Sequence, residues 1–148
     1  MRLYTTLLIA AVALAGMPAR AAECTLTPKE VVTKFMTQFY VDKKVREAFE
    51  TWVDPGYIQH NPMAETGREA AIKFLEPFFA KNPNINYSIK RVIADGDLVA
   101  VHSHGTFAPN DRGIAVVDIL RVQGCKVMEH WDVVQSVPEK SANTNTMF

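Results

Sequence analysis

Two stretches of the chain set titratable side chains into otherwise apolar, alternating runs. In Leu98-Val99-Ala100-Val101-His102-Ser103-His104-Gly105-Thr106-Phe107, a period of two puts Leu98, Ala100, His102 and His104 on one face. In Ile114-Ala115-Val116-Val117-Asp118-Ile119-Leu120-Arg121-Val122, Asp118 shares its face with Ile114, Val116, Leu120 and Val122. A carboxylate among apolar neighbours is expensive to bury, so Asp118 needs a partner or a task. Either His102 or His104 can supply it. Desolvation makes a carboxylate hold protons more tightly, which suits a general base, so an acid–base pair in a pocket is the leading expectation. A His–Asp hydrogen bond that merely holds the sheet is the plainer alternative.

Further polar groups are less pointed. Tyr57-Ile58-Gln59-His60-Asn61-Pro62 reads as a functional loop stiffened by Pro62, although turn chemistry alone would account for it. In Glu129-His130-Trp131-Asp132, Trp131 is expected as core or pocket wall, with His130 and Asp132 on the opposite face in a solvated or interface role. His102-Ser103-His104 behind Gly96 copies the opening of a cupin metal motif, but the glutamate due three or four residues later is missing and Ala108 stands at the fourth. A metal site from His60, His102, His104 and Asp118 is a minor alternative, and neither metal nor cofactor is expected. Glycine-rich phosphate loops, serine nucleophile elbows and CxxC pairs are absent from the sequence.

Helices and then strands must position these groups. Thr27-Pro28-Lys29-Glu30 is a capping box that opens a helix to about Val41. A second helix is expected over about Lys44 to Val53, stopped by Asp54-Pro55-Gly56. A third opens at the capping box Thr66-Gly67-Arg68-Glu69, runs through Phe78 and stops at Asn82-Pro83-Asn84. The period then changes to two, predicting strands at about Ile85–Ala94, Leu98–Phe107, Ile114–Gln123 and Val127–Val137. Asp95-Gly96 and Gly124-Cys125 sit at hairpin turns. The expected fold is α+β, with N-terminal helices packed in an antiparallel sheet. If that sheet curves, it encloses a pocket.

The 148 residues suit one domain, and 48% hydrophobic with 22% charged residues is an ordinary globular composition. Sixteen basic against sixteen acidic side chains leave no footprint for nucleic acid. Residues 1–21 read as a signal peptide: Arg2, the apolar run Leu7–Ala15, and Ala19-Arg20-Ala21 as the cleavage pattern. The apolar run is too short to span a bilayer, which takes about 20 residues. The mature domain is then 22–148, periplasmic or secreted, with two more acids than bases and no membrane insertion after cleavage. Export would put Cys24 and Cys125 in an oxidising compartment. An intramolecular bridge, two free thiols and a bridge to another subunit all remain open.

Three segments together resemble the SnoaL-like polyketide cyclase family of the nuclear-transport-factor-2-like superfamily: Tyr57–Pro62, Val117-Asp118-Ile119-Leu120-Arg121-Val122, and Gly124-Cys125-Lys126-Val127-Met128-Glu129-His130-Trp131-Asp132. The resemblance spans about residues 28–148 and implies a cone-shaped α+β barrel. It implies ring closure by intramolecular aldol condensation without metal or cofactor, with Asp118 as base and His104 as its partner. His102 would be a further pocket donor, and His60 and Asn61 would fall in the loop that helps close the pocket mouth. A homodimer through the outer face of the sheet is also implied, and Val99, Val101 and Phe107 are the apolar residues expected there. The ligand would be a small apolar or aromatic carbonyl compound. A cofactor-free lyase or isomerase is thus the leading reading, and a periplasmic small-molecule binding protein without catalysis the alternative.

Overall fold

The computed structural model describes residues 24–148; the expected signal peptide at 1–21 lies outside them. Helix α1 (Pro28–Met36) starts at the expected capping box: Thr27 Oγ1 accepts from Glu30 N–H at 3.3 Å, and Glu30 Oε2 accepts from Thr27 N–H at 2.8 Å. A π-helical turn (Thr37–Val41) prolongs it, and α2 (Val45–Trp52) follows. Helix α3 (Arg68–Lys81) lacks the expected capping box. Its N-cap is Gly67, and the Thr66 hydroxyl instead accepts from Gln59 N–H at 3.3 Å.

Five strands form one mixed sheet in the order β1-β5-β4-β3-β2. They are β1 (Val53–Gln59), β2 (Asn86–Asp95), β3 (Leu98–Thr106), β4 (Ile114–Gln123) and β5 (Lys126–Ser136). Four match the periodic stretches. The fifth, β1, runs through the segment read as helix stop and loop, and it pairs parallel to β5, so the sheet is not purely antiparallel. The sheet is curled but unclosed, an α+β fold with β1 and β2 as its edges. Register shifts at Ile89/Arg91 and Arg121/Val122 help bend the strands around the helices.

The core lies between the helices and the concave face. Val31, Val32, Phe35 and Met36 of α1 meet Ile72 and Phe79 of α3 over Val99, Val101, Leu120 and Val122 of the sheet. Cys24 and Cys125 are joined by a disulfide, with Cα atoms 5.3 Å apart, tying the segment before α1 to the β4–β5 turn. Among the described residues no helix is long and apolar enough to cross a membrane.

The faces of β3 are reversed from expectation. Val99, Val101 and Ser103 are fully buried and point inward, so His102 and His104 point outward. Val99 and Val101 therefore supply no outer apolar patch, while Phe107 is 40% exposed beyond the strand. The reason is pairing: Asp118 lies directly opposite Val101, and opposite residues share a face. An inward Asp118 thus carries Val101 inward with it. The phase of β5 is also reversed. Val122 pairs with Val127 but Arg121 pairs with Glu129, which leaves Met128 as an extra residue. That single insertion turns His130 and Asp132 inward and Trp131 outward.

Candidate functional site

The concave face and the helices enclose a cavity of about 210 Å³. Phe35, Phe39, Phe49, Phe78 and Tyr87 supply much of its wall, and Asp118, His130 and Asp132 form a polar patch. Asp118 is only 2% exposed. His130 Nε2 lies 2.9 Å from Asp118 Oδ1, and the Tyr40 hydroxyl donates to both Asp118 oxygens at 3.3 Å. Asp132, opposite Asp118 in the β4–β5 ladder, accepts from Asn61 Nδ2 at 2.8 Å on each oxygen. On its other side, His130 Nδ1 meets Gln59 Oε1 at 2.9 Å.

Each element contributes by a separate local cause. Tyr40 comes from the π-helical turn, which continues the apolar stripe of α1 inward. Tyr57 and Gln59 alternate along β1, and the loop after it carries Asn61 over Asp132. That loop is held in shape: Asn61 Oδ1 accepts from Met63 N–H at 2.8 Å, and Ala64 N–H donates to Asn61 O at 3.1 Å. Ala64 and Glu65 then stand at the rim of the cavity.

Three tyrosines line this site with their phenols kept neutral. Burial pushes Tyr40 well above the usual phenol value, with the Asp118 charge adding to the effect. Tyr57 is raised for the same reasons, burial first and then Asp118 and Asp132. Tyr87, stacked on Tyr40 with ring centroids 4.0 Å apart, is pushed up to about 12, again chiefly by burial. Tyr57 Oη accepts from Gln59 Nε2 at 3.0 Å, and its own proton has no acceptor among the described residues.

The sequence-based site is therefore brought together only in part. Asp118 and Asn61 line the cavity. His104 does not reach Asp118: it sits on the convex face, donates from Nε2 to Arg112 O at 2.8 Å, and stacks on Phe148. His102 is on that face too, with Arg91 Nη1 donating to its Nδ1 at 2.8 Å; desolvation, then Arg91 and Lys90, hold it below the usual imidazole value. His60 stacks on Trp131 outside the cavity, centroids 4.5 Å apart, and its Nε2 meets Glu129 Oε2 at 3.1 Å. Trp131 is thus an outer-face residue and not a pocket wall. Sequence reasoning missed Tyr40, Tyr57, Gln59, Tyr87, His130 and Asp132 as site residues. A histidine and two aspartates facing one cavity become visible only once the extra residue at Met128 is recognised.

His60, His102 and His104 do not assemble with Asp118. The donor atoms that do converge, one each from Asp118, His130 and Asp132, lie within 4.8 Å of one another, the only such group found among the described residues. In the structure these groups are engaged with one another, with Tyr40 and with Asn61. Both carboxylates and the imidazole are thereby held in place on the cavity wall.

Residues 32–130 match the profile of the SnoaL-like domain. Among solved structures, a Bacillus cereus protein provisionally assigned as a polyketide cyclase superposes with a TM-score of 0.60 at 23% identity, covering 73% of this chain and 74% of that one. A Kribbella flavida protein provisionally assigned as a ketosteroid isomerase gives 0.62 at 19% identity, covering 78% and 83%. An NTF2-like protein of unknown function from Cytophaga hutchinsonii gives 0.60 at 14% identity, covering 75% and 92%. At these identities the structures share the fold. Among curated proteins none matches the chain in sequence.

Proposed function

This chain belongs to the SnoaL-like family, and from that premise we propose that its cavity carries out cofactor-free proton abstraction next to a carbonyl, with Asp118 as base and His130 as partner. The observation that carries the proposal is the buried Asp118 carboxylate, held 2.9 Å from His130 at the polar patch of an aromatic cavity. His130 takes the place that the family resemblance implied for His104. The polyketide cyclase and ketosteroid isomerase assignments of structural neighbours belong to those proteins; here they support a reaction class in which an enol or enolate forms.

The step balances with protein groups alone. A C–H bond next to the carbonyl breaks, its proton goes to Asp118 Oδ2, and the electron pair moves to the carbonyl oxygen. The Tyr57 hydroxyl, with a proton free to donate, stabilises the developing oxyanion; one such donor is typically worth about 10²–10³ in rate. The enolate carbon is then reprotonated at a new position, or attacks a second carbonyl to close a ring. In the second case the new alkoxide takes back the proton from Asp118. Aromatic walls and few polar contacts suit a small, flat, largely apolar carbonyl compound.

The same proposal places the protein outside the cytoplasm as a homodimer. Residues 1–21 and the Cys24–Cys125 disulfide support export. Exposed apolar side chains on the outer sheet, led by Val133 at 68%, support pairing there in place of Val99 and Val101. N-terminal sequencing of the exported form and light scattering at micromolar concentration check these two points.

The functional test is deuterium uptake. The mature protein, incubated in D₂O with a panel of small cyclic and aromatic ketones, is expected to accelerate exchange next to the carbonyl for at least one of them. Asp118→Asn is expected to abolish it. Saturable binding of the same ketones without exchange would instead favour the binding-protein reading.

A further inference from the structure

Two side-chain amides at the cavity have orientations fixed by backbone donors. Asn61 N–H can only donate, and it lies 2.9 Å from Gln59 Oε1. The other end of that amide is therefore the NH₂ group, which donates to Tyr57 Oη at 3.0 Å. Met63 N–H fixes Asn61 in the same way and turns its Nδ2 onto Asp132.

The fixed amide of Gln59 dictates the protons of His130. Gln59 Oε1 lies 2.9 Å from His130 Nδ1, and a carbonyl oxygen only accepts, so Nδ1 must carry a proton. His130 Nε2 then faces Asp118 Oδ1 at 2.9 Å. A bare Nε2 against an ionised carboxylate would set lone pair against lone pair. One proton must therefore lie between the two atoms. Either it sits on nitrogen, giving an imidazolium beside a carboxylate, or it sits on oxygen, giving a neutral ring beside a carboxylic acid.

We infer that Gln59 is a positioning residue that fixes the tautomer of His130 and so ties the ionisation of Asp118 to protonation of the ring. By holding Nδ1–H, Gln59 excludes the form in which a neutral ring donates from Nε2 to an ionised Asp118. The base then exists only together with its own counter-charge. This catalytic consequence rests on the proposed proton abstraction; the tautomer itself does not. Gln59 also aims its amide at Tyr57, so one side chain orders the partner of the base and the oxyanion donor together.

Long-range ¹H–¹⁵N correlation spectra of the uniformly ¹⁵N-labelled, oxidised protein at neutral pH test the inference without any substrate. The His130 signals are identified by their loss in His130→Gln. In the wild type, Nδ1 is expected in the protonated range. Gln59→Leu removes the acceptor, and the neutral ring is expected to switch to the Nε2–H form, leaving Nδ1–H a minority. Gln59→Glu keeps an acceptor at the same reach and is expected to restore Nδ1–H. A bare Nδ1 in the wild type, or a tautomer unchanged in a folded Gln59→Leu, would overturn the inference. If Gln59→Leu does not fold, the wild-type and Gln59→Glu spectra still decide, since both are expected to show Nδ1–H. A bare Nδ1 would leave the proton-abstraction proposal standing, and failure of the deuterium assay would leave the tautomer standing.

Discussion

Tyr40→Phe isolates one hydrogen bond at the centre of the site. The Tyr40 hydroxyl donates to both oxygens of a carboxylate that is only 2% exposed, and both contacts are 3.3 Å long. A hydrogen bond to a charged group is worth about 1.5–3 kcal/mol net, but O–H···O bonds are best at 2.5–3.0 Å, so the lower part of that range applies. Removing the hydroxyl keeps the ring, which stacks on Tyr87 at 4.0 Å and Phe39 at 4.5 Å, so no large cavity forms. The expected loss is about 1.5–2 kcal/mol, against the roughly 3–5 kcal/mol typical of deleting a whole buried aromatic side chain. Tyr87→Phe is the matched control, because the Tyr87 hydroxyl makes no hydrogen bond with the described residues; its cost should stay within about 0.5 kcal/mol. Urea unfolding of the oxidised protein, with both variants measured beside the wild type, reads the difference directly. Equal stabilities for the two variants, or a stabilised Tyr40→Phe, would refute the claim that Tyr40 supports the Asp118 carboxylate.

Three other outcomes follow from individual features. Ser103 Oγ is buried without a hydrogen-bond partner, so Ser103→Ala should be neutral or stabilising by about 1 kcal/mol in the same urea assay. The disulfide links residues 101 apart, so its reduction or Cys125→Ser should cost up to roughly 4–5 kcal/mol in the chain-entropy model, read from unfolding with and without reductant. Tyr40, Tyr57 and Tyr87 are all raised in the fold above their unfolded values. The fold favours their neutral forms, a contribution fully present below the unfolded phenol value of about 10 and lost as pH rises through the raised values, for Tyr87 about 12. Tyrosinate absorbance in the mature chain should therefore lag free tyrosine and appear together with alkaline unfolding.

Much of this architecture is written in local pattern, and what is not depends on register. Thr27-Pro28-Lys29-Glu30 announces α1 because a capping box is a local device. Asp118 is legible as an inward carboxylate because Val116, Leu120 and Val122 flank it at a spacing of two. The phase of β3 was ambiguous, since Leu98 and Ala100 on one side are matched by Val99 and Val101 on the other. Only the pairing of Val101 with Asp118 resolves it. His130 and Asp132 were hidden by the extra residue in β5, which reverses every side chain after Val127 relative to a plain hairpin. Strand β1 was missed because Asp54-Pro55-Gly56 is turn chemistry; an edge strand paired on one side only tolerates it.

The measurement that bears most directly on the account compares His130→Gln with His104→Ala in the deuterium-uptake assay, each alongside its melting temperature. If the base works with the histidine that faces it across 2.9 Å inside the cavity, His130→Gln lowers the exchange rate by about 10²-fold or more while His104→Ala, on the convex face, stays near wild type. An unimpaired rate in a folded His130→Gln, or a rate lost in a folded His104→Ala, would contradict it.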